Sequence, residues 1–144
     1  MAAADRFPYW IEKHPGGGYL CRFPDFPEFV PEGPSIEILL ASLQEGLLPV
    51  IEERLRRGAP LPVDRPLRAG EESLALTPTY AVKLQLIEAV RVKKITAVEL
   101  ARRMGCFPQE ATRILKFSHP TKIDTLHAAI RAIGGELSCR ITFD

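Results

Sequence analysis

Four side chains at helical spacing, Gln109, Thr112, Arg113 and Lys116, carry the chemistry of nucleic-acid recognition. Gln and Arg form paired hydrogen bonds with adenine and guanine edges in a major groove, while Thr and Lys reach phosphate oxygens. Lys94, Thr96, Thr121 and Lys122 flank predicted helix starts, where open backbone amides and the helix dipole attract phosphate. A second group, Asp25, Glu28 and Glu32, is acidic and close in sequence. A two-metal nuclease needs carboxylates converging from separate strands, and this run reads as a loop. A weak nuclease using Asp25 is the enzymatic rival that this loop leaves.

Nothing else in the chain has catalytic spacing. His14 falls in a turn, His119 in a loop and His127 on a helix, each without a sequence partner that would make it a base. No nucleophile elbow, Walker loop, dinucleotide glycine motif or Cys/His zinc set is present. Cys21, Cys106 and Cys139 are odd in number and far apart, which favours buried reduced thiols. No catalytic residue, metal or cofactor is therefore expected.

The elements that must hold these side chains are written in the punctuation of the chain. Two aromatic-rich runs, Phe7 to Lys13 and Tyr19 to Phe23, flank "HPGGG" and predict a hairpin, with a third short strand around Phe29 and Val30. Ser35 is a good N-cap, and apolar residues at Ile36, Leu40, Leu43, Leu47, Ile51 and Leu55 predict one long helix ending at Gly58. Pro49 should kink that helix or divide it near Gly46. Residues 58–73 hold three prolines and form a stiff connector, after which "SLALT" alternates like a strand returning to the sheet.

Four helices follow, over 79–92, 97–104, 108–117 and 122–133. Thr96 with Glu99 makes a capping box, Ala101 is small enough for a close helix crossing, and Gly105 permits the positive φ of a helix-turn-helix. Pro108 suits the first position of the second helix, although Phe107 is a poor N-cap. The bland alternative is a helical hairpin whose polar face is only wet; capping box, core spacing, turn glycine and basic charge together weigh against it. "ELSCRITF" alternates apolar and polar residues and predicts a terminal strand whose edge could pair with its copy across a two-fold axis.

Composition sets the bounds. The chain has 144 residues, 46% hydrophobic and 26% charged, the profile of a globular protein. Its longest apolar run is far short of the roughly 18 residues that span a bilayer, and the N-terminus turns to charge at Asp5 and Arg6, so a cytoplasmic location without membrane contact is expected. The net charge of +1 conceals an asymmetry. Residues 1–78 hold 8 Lys and Arg against 12 Asp and Glu, a net of −4, while residues 79–144 hold 11 against 6, a net of +5. Two halves of opposite sign point to two partners, one of them nucleic acid.

"YWIEKHPGGGYLCRFPDFPEF", "GAPLP", "ITAVELARRMG", "QEATRIL" and "TKIDTLHAAIRAIGGELS" together resemble the HicB antitoxins of HicA/HicB-type toxin–antitoxin systems, in the branch with a C-terminal helix-turn-helix. The resemblance implies an α+β fold. Residues 1–78, connector included, would be a partial ribonuclease-H-like domain (β-β-β-α-β) that binds a HicA-like mRNA interferase without cutting RNA itself. Asp25, Glu28 and Glu32 would face that toxin. Residues 79–144 would be an all-α, phage-repressor-like helix-turn-helix domain with a terminal strand. It would bind the operator of its own operon as a homodimer or higher homo-oligomer, reading bases through Gln109, Thr112, Arg113 and Lys116. The rival from another class is a stand-alone repressor whose first domain senses a small ligand. Glu28 and Phe29 after the Phe-Pro-Asp loop, and Gly46 with Pro49 in the long helix, depart from the family's usual pattern.

Overall fold

The structure, a computed structural model, describes residues 3–144. The chain divides into two compact units, one ending at Thr77 and one beginning at Pro78.

The first unit contains strands β1 (Arg6–Lys13), β2 (Tyr19–Arg22) and β3 (Glu32–Gly33), helix α1 (Ile36–Arg57) and strand β4 (Glu72–Ala75). They form one antiparallel sheet in the order β3-β2-β1-β4, with Trp10 opposite Arg22 and Arg6 opposite Ala75. The β1–β2 turn closes by His14 N–H donating to the Gly18 carbonyl and Gly17 N–H to the His14 carbonyl, both at 3.0 Å. Gly18 has φ +78°, and a Cβ there would stand 2.6 Å from the Gly33 carbonyl oxygen, so only glycine lets β2 and β3 approach so closely.

α1 begins where Ser35 Oγ accepts from the Ile38 amide and ends at left-handed Gly58. It buries Leu39, Leu43, Leu47, Leu48 and Ile51. The stripe thus runs through Leu39, whereas Ile36 and Leu40, expected inside, are exposed. Pro49 does not divide the helix, which continues for 22 residues. Pro49 has no N–H to donate to the Glu45 carbonyl, and both residues are exposed, so the lost bond falls on the outer side of the helix. Gly46 is required for another reason, because a Cβ there would come within 2.8 Å of the Phe29 ring, which lies against the helix at that point.

Phe29 explains a second correction. The third strand forms at 32–33 rather than around Phe29 and Val30, because Phe29 is a loop plug stacked on Phe23 at 5.6 Å. Phe7 meets Phe26 edge-on at 5.1 Å, so aromatic rings from β1 and the 23–29 loop fill the space against α1. The connector is tied to this unit, with Ala4 N–H donating to the Pro62 carbonyl at 2.9 Å.

The second unit consists of α2 (Pro78–Val92), α3 (Ala97–Met104), α4 (Pro108–Ile114) and α5 (Ile123–Ala132). Leu86, Val90, Leu100, Ala101, Ala111, Ile114, Leu126, Ala129 and Ile133 share one core. α4 stops at Ile114, short of the expected Phe117, whose ring is buried against Tyr80 at 5.6 Å. The expected terminal strand is absent: residues 135–144 take no regular structure, and Ile141 and Phe143 are 80% and 89% exposed. An alternating sequence becomes a strand only beside another strand, and this unit offers none among the described residues.

Candidate functional site

In the second unit, Thr96 Oγ1 accepts from the Glu99 amide at 3.1 Å and starts α3. The Glu99 carboxylate turns to Arg102 and Arg103, which hold it down to about 2. Gly105, at φ +70°, turns the chain toward α4, and Leu100, Ala101, Ala111 and Ile114 bury the seam between the two helices.

This packing leaves Gln109, Thr112, Arg113 and Lys116 exposed on and just beyond α4. Three of them keep their polar ends outward; the Thr112 hydroxyl donates to the Pro108 carbonyl at 3.0 Å, so its proton is used within the helix. Phe107 caps α4 without a side-chain bond and is 73% exposed.

The phosphate candidates separate by their engagements. Lys94 and Lys122 are exposed cations: Lys94 sits in the α2–α3 turn at φ +56°, and Lys122 is the residue from which α5 starts. The Thr96 hydroxyl is occupied as a cap, and the Thr121 hydroxyl accepts from Lys83 Nζ at 2.7 Å. Arg113, Thr121 and Lys122 are brought together around one surface depression of about 240 Å³, with His119 and Glu110 on its wall. Gln109, Thr112, Lys116, Lys94 and Thr96 lie outside it.

Lys83 is the residue that sequence reading passed over. It is fully buried in α2 and also donates to the carbonyls of Arg113 and His119. A signal existed: Lys83, Leu86 and Val90 fall at i, i+3 and i+7, on the apolar face itself.

In the first unit Arg54 ties Glu28 to the Asp25 backbone, and Glu32 is held apart from them by His14. Arg54 forms a bidentate pair with Glu28, Nε and Nη2 each at 2.9 Å, donates to the Asp25 carbonyl at 2.8 Å and lies 4.4 Å above the Phe26 ring. That guanidinium, chiefly through its hydrogen bond, holds the Glu28 carboxyl below the usual carboxylate range. Glu32 meets His14 Nε2 at 3.1 Å, while His14 Nδ1 accepts from the Gly16 amide, which leaves Nε2 to carry the proton. Among the described residues no three His, Cys, Asp or Glu side chains are grouped to hold a metal ion.

Elsewhere in this unit Glu71 takes Arg65 at 2.8 Å and the Arg68 amide, and is held to about 2 mainly by Arg65. Burial pushes the Cys21 thiol up to about 12. Cys139, expected buried, is exposed in the irregular tail, and Cys106 is intermediate.

Both units have counterparts in known proteins. The chain is 32% identical to Antitoxin HicB of Escherichia coli (strain K12) over 133 residues, 92% of this chain and 96% of that one. The chain belongs to the HicB antitoxin family. Antitoxin HicB 1 and Antitoxin HicB 2 of Photorhabdus laumondii are 34% and 33% identical over 136 and 137 residues, 94% and 95% of this chain and 86% and 96% of theirs. No protein-family model matches the chain. HicB antitoxins are neutralising proteins, so the chain acts as an antitoxin and not as an enzyme. Among the described residues no helix is long and apolar enough to cross a membrane.

Proposed function

We propose that this HicB-family chain neutralises a small, basic, HicA-like mRNA interferase through residues 1–78 and represses its own operon through residues 79–144. The exposed face of α4, with Gln109, Arg113 and Lys116 outward over a buried apolar seam, is the observation that carries the reading. In this reading the α3–Gly105–α4 segment is a helix-turn-helix, α4 enters the major groove, and Lys94 and Lys122 hold phosphates on either side. Thr96 and Thr121 support those contacts through the backbone they fix.

The first unit, read as a partial ribonuclease-H-like module, acts by covering. Its net −4 charge competes for a toxin surface built to hold RNA phosphates, and Asp25, Glu28 and Glu32 lie on the segment from β2 to β3 that would meet it. Inhibition is stoichiometric. Operators with two-fold symmetry are met by homodimers or higher homo-oligomers, and the exposed Ile141 and Phe143 supply apolar surface for such an assembly.

Co-expression with the product of the adjacent short reading frame tests the first half: the two chains co-purify and the cells grow, whereas the neighbour alone arrests them. Gel shifts on the promoter fragment upstream of the gene test the second. Growth arrest that this chain does not relieve, or no shift at low salt, refutes the corresponding half.

A further inference from the structure

Lys83 is fully buried although it is charged, and it stands on the face of α2 that also carries Leu86 and Val90 into the core. Its Nζ donates to the Arg113 carbonyl at 3.3 Å, to the His119 carbonyl, and to the Thr121 hydroxyl at 2.7 Å. An ammonium has three N–H donors and no acceptor, and all three of these oxygens are acceptors suited to it. Their places in the chain have a pattern. Arg113 is in the last turn of α4, where its carbonyl also accepts from the Lys116 amide at 3.2 Å and the helix dipole is negative. His119 and Thr121 belong to the loop between α4 and α5, and α5 starts from Lys122. One cation on α2 thus ties down the end of α4 and the beginning of α5.

We propose that Lys83 is a positioning residue for DNA binding: without touching DNA, it sets the orientation of α4 and of the 118–122 loop. The inference rests on the DNA-binding reading of the second unit. α4 has seven residues and no side-chain cap at its start, so it cannot hold its own direction. Ala111 and Ile114 anchor it by apolar contact, which is non-directional and tolerates roll and slide. Charge-assisted hydrogen bonds at its C-terminal end remove that freedom. Arg113, which would read bases, and Lys122, which would grip phosphate, border the same depression, so Lys83 also fixes the spacing between the two kinds of contact. A well-packed apolar residue often stabilises a core at least as well as a buried charge, so the lysine serves geometry.

The test compares full-length wild type, Lys83→Met and Thr121→Val on the promoter fragment upstream of the gene and on a scrambled duplex, by gel shift at two salt concentrations. Lys83→Met keeps volume and helix propensity but supplies no donor. It should lose about tenfold in promoter-over-scrambled discrimination, the scale of one misplaced bidentate base contact. Scrambled-DNA affinity and the salt slope stay as in wild type, because every surface cation remains. Thr121→Val, which leaves the lysine its two carbonyls, should lose less in the same direction, and it carries the test if Lys83→Met does not fold. Equal weakening on both DNAs would mark Lys83 as a stabilising residue only and overturn the inference, as would unchanged discrimination in both variants. Wild type that fails to bind the promoter overturns the DNA-binding reading itself, a result distinct from either.

Discussion

Replacing Arg54 with methionine should release the loop that carries Asp25 and Glu28 while leaving α1 in place. The Arg54 side chain is 15% exposed, so its contacts are largely shielded from water. Its bond to the partly buried Asp25 carbonyl contributes about 1 kcal/mol. The pair with Glu28, whose side chain is 41% exposed, contributes less than about 1 kcal/mol after screening. Its seat over Phe26 adds about 1 kcal/mol, and methionine recovers part of the packing alone. A net loss of about 2 kcal/mol lowers the melting temperature of a unit of this size by about 8–16 °C.

The chain has one tryptophan, Trp10, and it lies in β1, so its fluorescence follows the first unit alone during a thermal scan. Promoter binding at low temperature serves as the internal control and should not change. The pH dependence has a definite sign. The folded Glu28 carboxyl lies below its ordinary 4.5, so its contribution is present above that value and is lost as pH falls through the folded value. The methionine variant should lack this portion of acid sensitivity. A Trp10 transition that moves by less than about 3 °C, well under the 4–8 °C that one kcal/mol produces, would show that Arg54 does not hold the loop.

Arg113→Ala should relax base preference, while Lys122→Ala weakens binding evenly across sequences and lowers the salt slope by about one; titrations on operator and scrambled DNA separate the two, and equal loss on both DNAs for Arg113→Ala would put the wrong face in the groove. Glu99, held to about 2 by Arg102 and Arg103, supports the start of α3 fully above pH 4.5 and progressively less toward pH 2. Glu99→Gln should therefore flatten the acid limb of helix content measured by circular dichroism, and an unchanged limb would refute the pairing. Gly18→Ala adds a backbone clash to a positive φ and should cost more than about 2 kcal/mol, whereas Gly17→Ala, with open space around it, should cost about 1 kcal/mol. Urea midpoints followed by Trp10 rank the two, and equal midpoints would reject the close β2–β3 approach as the reason for glycine.

What the amino-acid sequence determined alone was what depends on near neighbours. Ser35 and Gly58 bound α1, Thr96 and Gly105 bound α3, and Pro108 opens α4, because a cap is a bond between residues three or four apart. The exposure of Gln109, Thr112, Arg113 and Lys116 follows from the same periodicity that buries Ala111 and Ile114. The family resemblance was legible for a related reason, since it resides in contiguous runs of residues.

Only the tertiary structure decided what depends on residues far apart. Whether Leu39 or Leu40 enters the core was set by the sheet beneath α1, since both fit a spacing of three or four. The alternating tail stayed irregular for want of a strand to pair with. Arg54 lies in the last turn of α1, and only the fold makes it the staple of a loop 26 residues away. Lys83 and Thr121 are 38 residues apart, and no local pattern announces a bond between them. Hydrogen bonds and burial act through space, and sequence distance carries little information about them beyond a turn or two of helix.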